Sequence, residues 1–232
     1  MYSEKYVDII YRLKVMENPR NVEGMARFGI NPDNTLGISI PVLKKMAKEC
    51  GKNHTLALEL WDSGIHEARI LAAMVEDPQQ TTSEQLDQWA KGFDSWDVCD
   101  QCCKYMFAKT PFVLEKINKW SVREETFVKR AGFVLIAELA VHDSKAQNAR
   151  FLGFLELIKQ ASDDERNFVK KAVNWALRQI GKRNRTLNQA AINTAIELKS
   201  RDSKSARWIA ADALRELSGE AVQNRLMNGF KR

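Results

Sequence analysis

The feature that most constrains this chain is a recurring element: a small residue inside an apolar run, with a basic residue just upstream. Its copies read Glu67-Ala68-Arg69-Ile70-Leu71-Ala72-Ala73, Phe127-Val128-Lys129-Arg130-Ala131-Gly132-Phe133, Phe168-Val169-Lys170-Lys171-Ala172-Val173 and Ser205-Ala206-Arg207-Trp208-Ile209-Ala210-Ala211. Ala72, Ala131, Ala172 and Ala210 stand 59, 41 and 38 residues apart, and the first interval has room for a degenerate copy around Cys99–Phe107. A period of roughly 30–40 residues belongs to paired antiparallel helices stacked as a solenoid. Small residues let the two helices of a pair approach closely. Helix-period stretches at Thr55–Trp61, Ser83–Gly92, Phe112–Trp120, Ala149–Gln160 and Leu187–Lys199 supply the partner helices. Strand-like alternation is absent, and most of the five prolines and eleven glycines fall between periodic stretches. The expectation is an all-α superhelix, one domain over residues 1–232, with the upstream bases facing the inner curve.

Hydrophobic residues form 44% and charged residues 28% of the chain, as in ordinary globular proteins. No apolar run approaches the ~18–20 residues needed to span a bilayer. The start, Met1-Tyr2-Ser3-Glu4-Lys5-Tyr6, does not read as a signal peptide, so a cytoplasmic protein is expected. Cys99 and Cys102 form a C-x-x-C beside Cys103, but zinc would need a second ligand pair. His54, His66 and His142 lie too far off to provide one. Buried small residues on a helix, with no metal and no cofactor, is the better reading. The net charge of +6 is mild, yet Arg166, Lys170, Lys171, Arg178, Lys182, Arg183 and Arg185 follow one another with no acid between them. Such a run either meets phosphates or forms a solvated helix face.

The segment Phe93-Asp94-Ser95-Trp96-Asp97-Val98-Cys99-Asp100 carries the clearest chemical signal. Asp94 or Ser95 can cap the helix that follows, and Trp96 and Asp100, four residues apart, then share one face. An indole attracts a cation, and a neighbouring carboxylate stabilises positive charge developing in a reaction. The bland alternative is a core tryptophan and a surface acid. Trp175 has Lys171 and Arg178 on its own face, which favours exposure on a basic surface. Trp61, Trp89, Trp120 and Trp208 read as repeat core.

Taken together, Met25-Ala26-Arg27-Phe28, Leu36-Gly37-Ile38 with Pro41, Leu60-Trp61-Asp62, Ser95-Trp96-Asp97 with Asp100, Lys129-Arg130-Ala131 and Lys171-Ala172-Val173-Asn174-Trp175-Ala176-Leu177-Arg178 form a pattern. In order and spacing, from about Asn18 to Leu217, they resemble the HEAT-like repeat DNA glycosylases, the AlkD-like DNA alkylation repair proteins. The resemblance implies metal-free hydrolytic excision of cationic alkylpurines, such as 3-methyladenine and 7-methylguanine, from duplex DNA. Asp100 matches the catalytic aspartate, Trp96 and Trp175 the flanking tryptophans, and Arg130 an arginine that holds the DNA backbone. Lys170, Lys171, Arg178, Arg27 and Phe28 complete the expected DNA contacts, with the protein acting as a monomer. A cationic purine leaves without a general acid, so one carboxylate can both stabilise the oxocarbenium-like sugar and place water. Active relatives tend to carry a tyrosine where this chain has Phe28, and Gly29 with Asn31-Pro32-Asp33-Asn34 ends the preceding helix there. A DNA-structure binder without excision therefore stands beside the glycosylase reading. A HEAT-like protein–protein scaffold is the third alternative.

Overall fold

A computed structural model describes residues 2–228, which divide into two compact units with the boundary between Val113 and Leu114. Among the described residues every regular element is helical. The first unit holds α1 (Glu4–Val15), α2 (Pro19–Arg27), α3 (Ile40–Cys50), α4 (His54–Asp62), α5 (His66–Val75), α6 (Ser83–Lys91) and α7 (Trp96–Tyr105), followed by a short 3-10 turn at Phe107–Lys109. The second continues from α8 (Val113–Trp120) through α9 (Thr126–His142), α10 (Asn148–Ala161), α11 (Asn167–Gly181), α12 (Arg185–Lys199), α13 (Lys204–Leu217) and α14 (Glu220–Met227). Many of the starts follow from local chemistry. Asn18, Asn53, Thr82, Asn184 and Ser203 each accept a backbone N–H of the first turn, and proline occupies the first turn of α2 and α3.

In the first unit α5 packs between α3, α4 and α7. Trp61 of α4 stacks on Trp89 of α6 with centroids 4.3 Å apart, and Phe93 meets Trp61 edge-on. In the second, α11 lies between α9 and α13, while α10 and α12 form the facing layer. The small residues behave as their periodicity implies: Ala72, Ala131, Ala172 and Ala210 are wholly buried. Gly132 lets α9 close on the end of α8, because a Cβ there would sit 2.8 Å from the Ser121 backbone nitrogen. Trp61, Trp89 and Trp120 are core, but Trp208 is not. It keeps 41% of its surface exposed.

The basic residue upstream of each small one has a role the periodicity did not reveal. Arg69 lies over Trp61 at 5.3 Å and donates to the Gly92 carbonyl. Lys129 pairs with Asp164 at 3.0 Å, Arg130 donates to the Phe168 carbonyl at 2.7 Å, and Lys170 sits over Trp208 at 5.1 Å. These four bases reach forward to a residue 23 to 38 positions on, whereas Arg207 of the last copy is exposed and turns back to Arg201 and Asp202.

Candidate nucleic-acid interface

The start of α7 places Trp96 and Asp100 one turn apart, both partly exposed, while Asp97, Val98, Cys99, Cys102 and Cys103 behind them are buried. Burial pushes the Cys102 and Cys103 thiols well above their ordinary range, so these cysteines act as small core residues. Ser95 holds the N-cap position, yet its hydroxyl does not cap the helix. It donates to Asp97 Oδ1 at 2.8 Å, while the other oxygen, Oδ2, meets His66 Nε2 at 2.8 Å. Asp94 likewise turns away, accepting from Asn31 Nδ2 and lying 3.5 Å from Arg69. The expected side-chain cap by Asp94 or Ser95 is therefore replaced by a buried Ser95–Asp97–His66 chain that fixes the first turn of α7 against α5. Burial raises the Asp97 carboxyl, but His66 and Ser95 more than offset it and hold the acid below its usual value. Burial lowers the His66 imidazole, and Asp97 more than offsets that, raising it overall.

α2 ends where the sequence places its end, at Arg27 with Phe28 as C-cap and Gly29 at φ +76°. No residue of α2 is buried, so the helix is held at its ends instead of by a core. At its start Asn18 N donates to the Leu36 carbonyl at 2.7 Å, and Asn21 Nδ2 donates to the Gly37 carbonyl at 2.8 Å. At its finish the Phe28 carbonyl accepts from the Trp96 indole Nε1 at 3.1 Å. Arg27 is exposed, and Phe28 is 77% exposed. The segment after it is pinned in turn, since the fully buried Glu67 carboxylate accepts the backbone N–H of Leu36, Gly37 and Ile38 at 2.7–3.1 Å.

In the second unit Trp175 is partly exposed on α11. With its side-chain oxygen facing them, Gln179 accepts from Trp175 Nε1 at 2.9 Å and from Lys182 Nζ at 3.2 Å. Lys171 is exposed and Lys170 partly so, whereas Arg130 is only 6% exposed. The acid-free run from Arg166 to Arg185 is not free of acids in space. Arg178 and Lys182 meet Glu216 at 2.5 and 2.7 Å, and Arg166 pairs with Asp164. Arg183 caps the C-terminal end of α9, donating to the carbonyls of Leu139, Ala140 and Asp143 while stacking on Phe151. Lys171 and Arg185 are the members of the run that stay exposed.

Residues 9–217 match the family described as DNA alkylation repair enzyme. The chain belongs to that family. Relatives are distant in sequence: the uncharacterized protein Lin0241 of Listeria innocua is 26% identical over 188 residues, covering 79% of this chain and 81% of its own. Lmo0209 of Listeria monocytogenes is 24% identical over the same length and shares. A solved structure, described as a new family of proteins related to the HEAT-like repeat DNA glycosylases with affinity for branched DNA structures, superposes with a TM-score of 0.80. It is 19% identical and covers 95% of both chains, so this alkylation repair family member has the HEAT-like repeat fold.

Sequence reasoning missed the Ser95–Asp97–His66 chain, the Glu67 clamp and the exposure of Trp208. His66 stands 31 residues from Asp97 and Glu67 about 30 from its donors, so no local pattern announces either contact. Nor does any helix among the described residues have the length and apolarity to cross a membrane.

Proposed function

We propose that this member of the alkylation repair family holds duplex DNA and hydrolyses the N-glycosidic bond of cationic N3- and N7-alkylated purines. The observation that carries the reading is Trp96 and Asp100 together on one partly exposed face of α7. Asp100 stabilises positive charge on the deoxyribose and positions water, and the leaving purine needs no acid because it is already cationic. The Trp96 indole offers its face to the sugar, and Trp175 takes the matching role. Lys170, Lys171 and Arg27 contact phosphates, and Phe28 approaches the groove. Arg178 reaches DNA from within its pairing to Glu216, and Arg130 positions the first turn of α11 through the Phe168 carbonyl.

A base-release assay on methylated duplex DNA tests this. Wild type should release 7-methylguanine, and Asp100→Asn should release it at least about a hundredfold more slowly with binding retained. A second reading, DNA-structure binding without excision, is favoured by one specific contact: the Trp96 indole N–H is already given to the Phe28 carbonyl. The affinity for branched DNA ascribed to the structural neighbour supports it as well. Wild-type protein that binds DNA but releases no methylated purine would establish the second reading over the first.

A further inference from the structure

Three contacts between α11 and α13 repeat every turn at a constant offset of 38 residues. Lys170 meets Trp208, Asn174 donates to Asp212 at 2.6 Å, and Arg178 pairs with Glu216. The two helices therefore run side by side in register, and the ladder fixes where Trp208 stands. It is the one rung occupied by an aromatic ring and a cation. The Lys170 ammonium lies 5.1 Å from the indole centroid, and the ring leaves 41% of its surface open. Next to it on α13, Lys204, Arg207 and Ala211 are exposed. Ala211, one turn on, is small and exposed, and Lys204 adds positive charge nearby, while Arg207 is paired with Asp202.

We infer that Trp208, backed by Lys170, is a stacking platform for an unpaired nucleobase. This rests on the DNA-holding reading above and names a substrate feature that reading leaves open. Ile209, Ala210 and Ala213 are wholly buried on α13, and the Trp208 ring stands beside them, partly covered and resting on Lys170. A flat aromatic surface among cations suits a base stacked on the ring with its phosphates near the bases, and every base has a π-face to offer. Trp175 lies five residues beyond Lys170 on the same helix, about 7.5 Å along its axis. Roughly 140° of helix rotation also separates the two side chains, so the platform is a second aromatic surface beside Trp175 and not part of the same face. Acidic groups nearby are engaged: Asp212 is held by Asn174, Arg178 and Arg215, and Asp202 by Arg207.

The test compares two labelled DNAs, an intact duplex and the same duplex with a short single-stranded gap, binding to full-length wild type, Trp208→Ala and Trp208→Phe. Trp208→Ala should weaken binding of the gapped DNA about tenfold and leave the duplex within twofold, while Trp208→Phe should retain most of the gapped-DNA affinity. Equal affinity of wild type and Trp208→Ala for gapped DNA overturns the platform, and so does an equal loss on both DNAs. Wild type that binds neither DNA defeats the DNA-holding reading itself, a result distinct from the other two. The ring is only partly exposed, so the thermal unfolding midpoint of each variant is measured alongside, and a folded variant that loses gapped-DNA affinity separates loss of stacking from loss of fold.

Discussion

Glu67 shows what one buried carboxylate can do. Three consecutive backbone donors, at Leu36, Gly37 and Ile38, converge on it, an arrangement that the chain achieves only because Gly37 sits at φ +77°. A Cβ on Gly37 would also run into the Asn18 carbonyl oxygen, at the start of α2. The Leu36-Gly37-Ile38 motif is therefore the anchor that seats α2. Glu67→Gln would turn an amide N–H toward donors that need an acceptor, so it should destabilise the protein by about 2–3 kcal/mol. The expected readout is a lower urea midpoint at unchanged m, and an unaltered midpoint would show that the loop is held by other means. The motif itself was legible in the sequence, but its reason was not, because the acceptor lies some 30 residues away.

Elements in this fold are joined by clasps from one repeat to another. The segment between α10 and α11 is one: Asp164 takes Lys129 from α9 at 3.0 Å and Arg166 from the N-cap of α11, while Arg166 also donates to the Glu124 carbonyl just before α9. Burial raises the Asp164 carboxyl, but Arg166 and Lys129 outweigh it and hold the acid at about 2 against an ordinary value of 3.8. A depressed carboxyl contributes stability above its unfolded value and loses it as pH falls through the folded one. Acid titration of wild-type stability should therefore show a loss between about pH 4 and pH 2 that is smaller in Asp164→Asn. The variant should also be about 1–2 kcal/mol less stable at neutral pH. Superimposable pH profiles would remove the clasp from the account. α2 is the opposite case, with no buried side chain and its hydrogen bonds to the rest of the unit made at the ends.

For the whole molecule the charge balance matters more than the net +6. Many bases that a sequence window counts as available for phosphates are bound internally: Arg178 and Lys182 to Glu216, Arg166 to Asp164, Arg183 to the end of α9. A strongly basic binder would release many counterions on DNA, whereas this chain should release few. The affinity for duplex DNA should therefore fall by about ten- to fiftyfold between 50 and 200 mM monovalent salt, the slope of two or three phosphate contacts. A fall of a thousandfold or more would mean that the internal pairs open and join the DNA.

Periodicity alone determined that this chain stacks paired helices, because a helix exposes a repeating face and the small residues at that face must be buried. The breakers Gly29 and Asn31-Pro32-Asp33-Asn34 located the end of α2 near Phe28, where the structure has Gly29 at φ +76°. The face shared by Trp96 and Asp100 was readable for the same reason, four residues being one helical turn. Tertiary structure alone decided which charges remain for a partner and which tryptophans are core. The acids that occupy Arg178 and Lys182 come from α13, 34 to 38 residues away, and Trp208 lies outside the core because its rung of the α11–α13 ladder opens outward beside Lys170. Contacts at such separations depend on the register of neighbouring helices, and register is set by packing across the repeat rather than by any window of sequence.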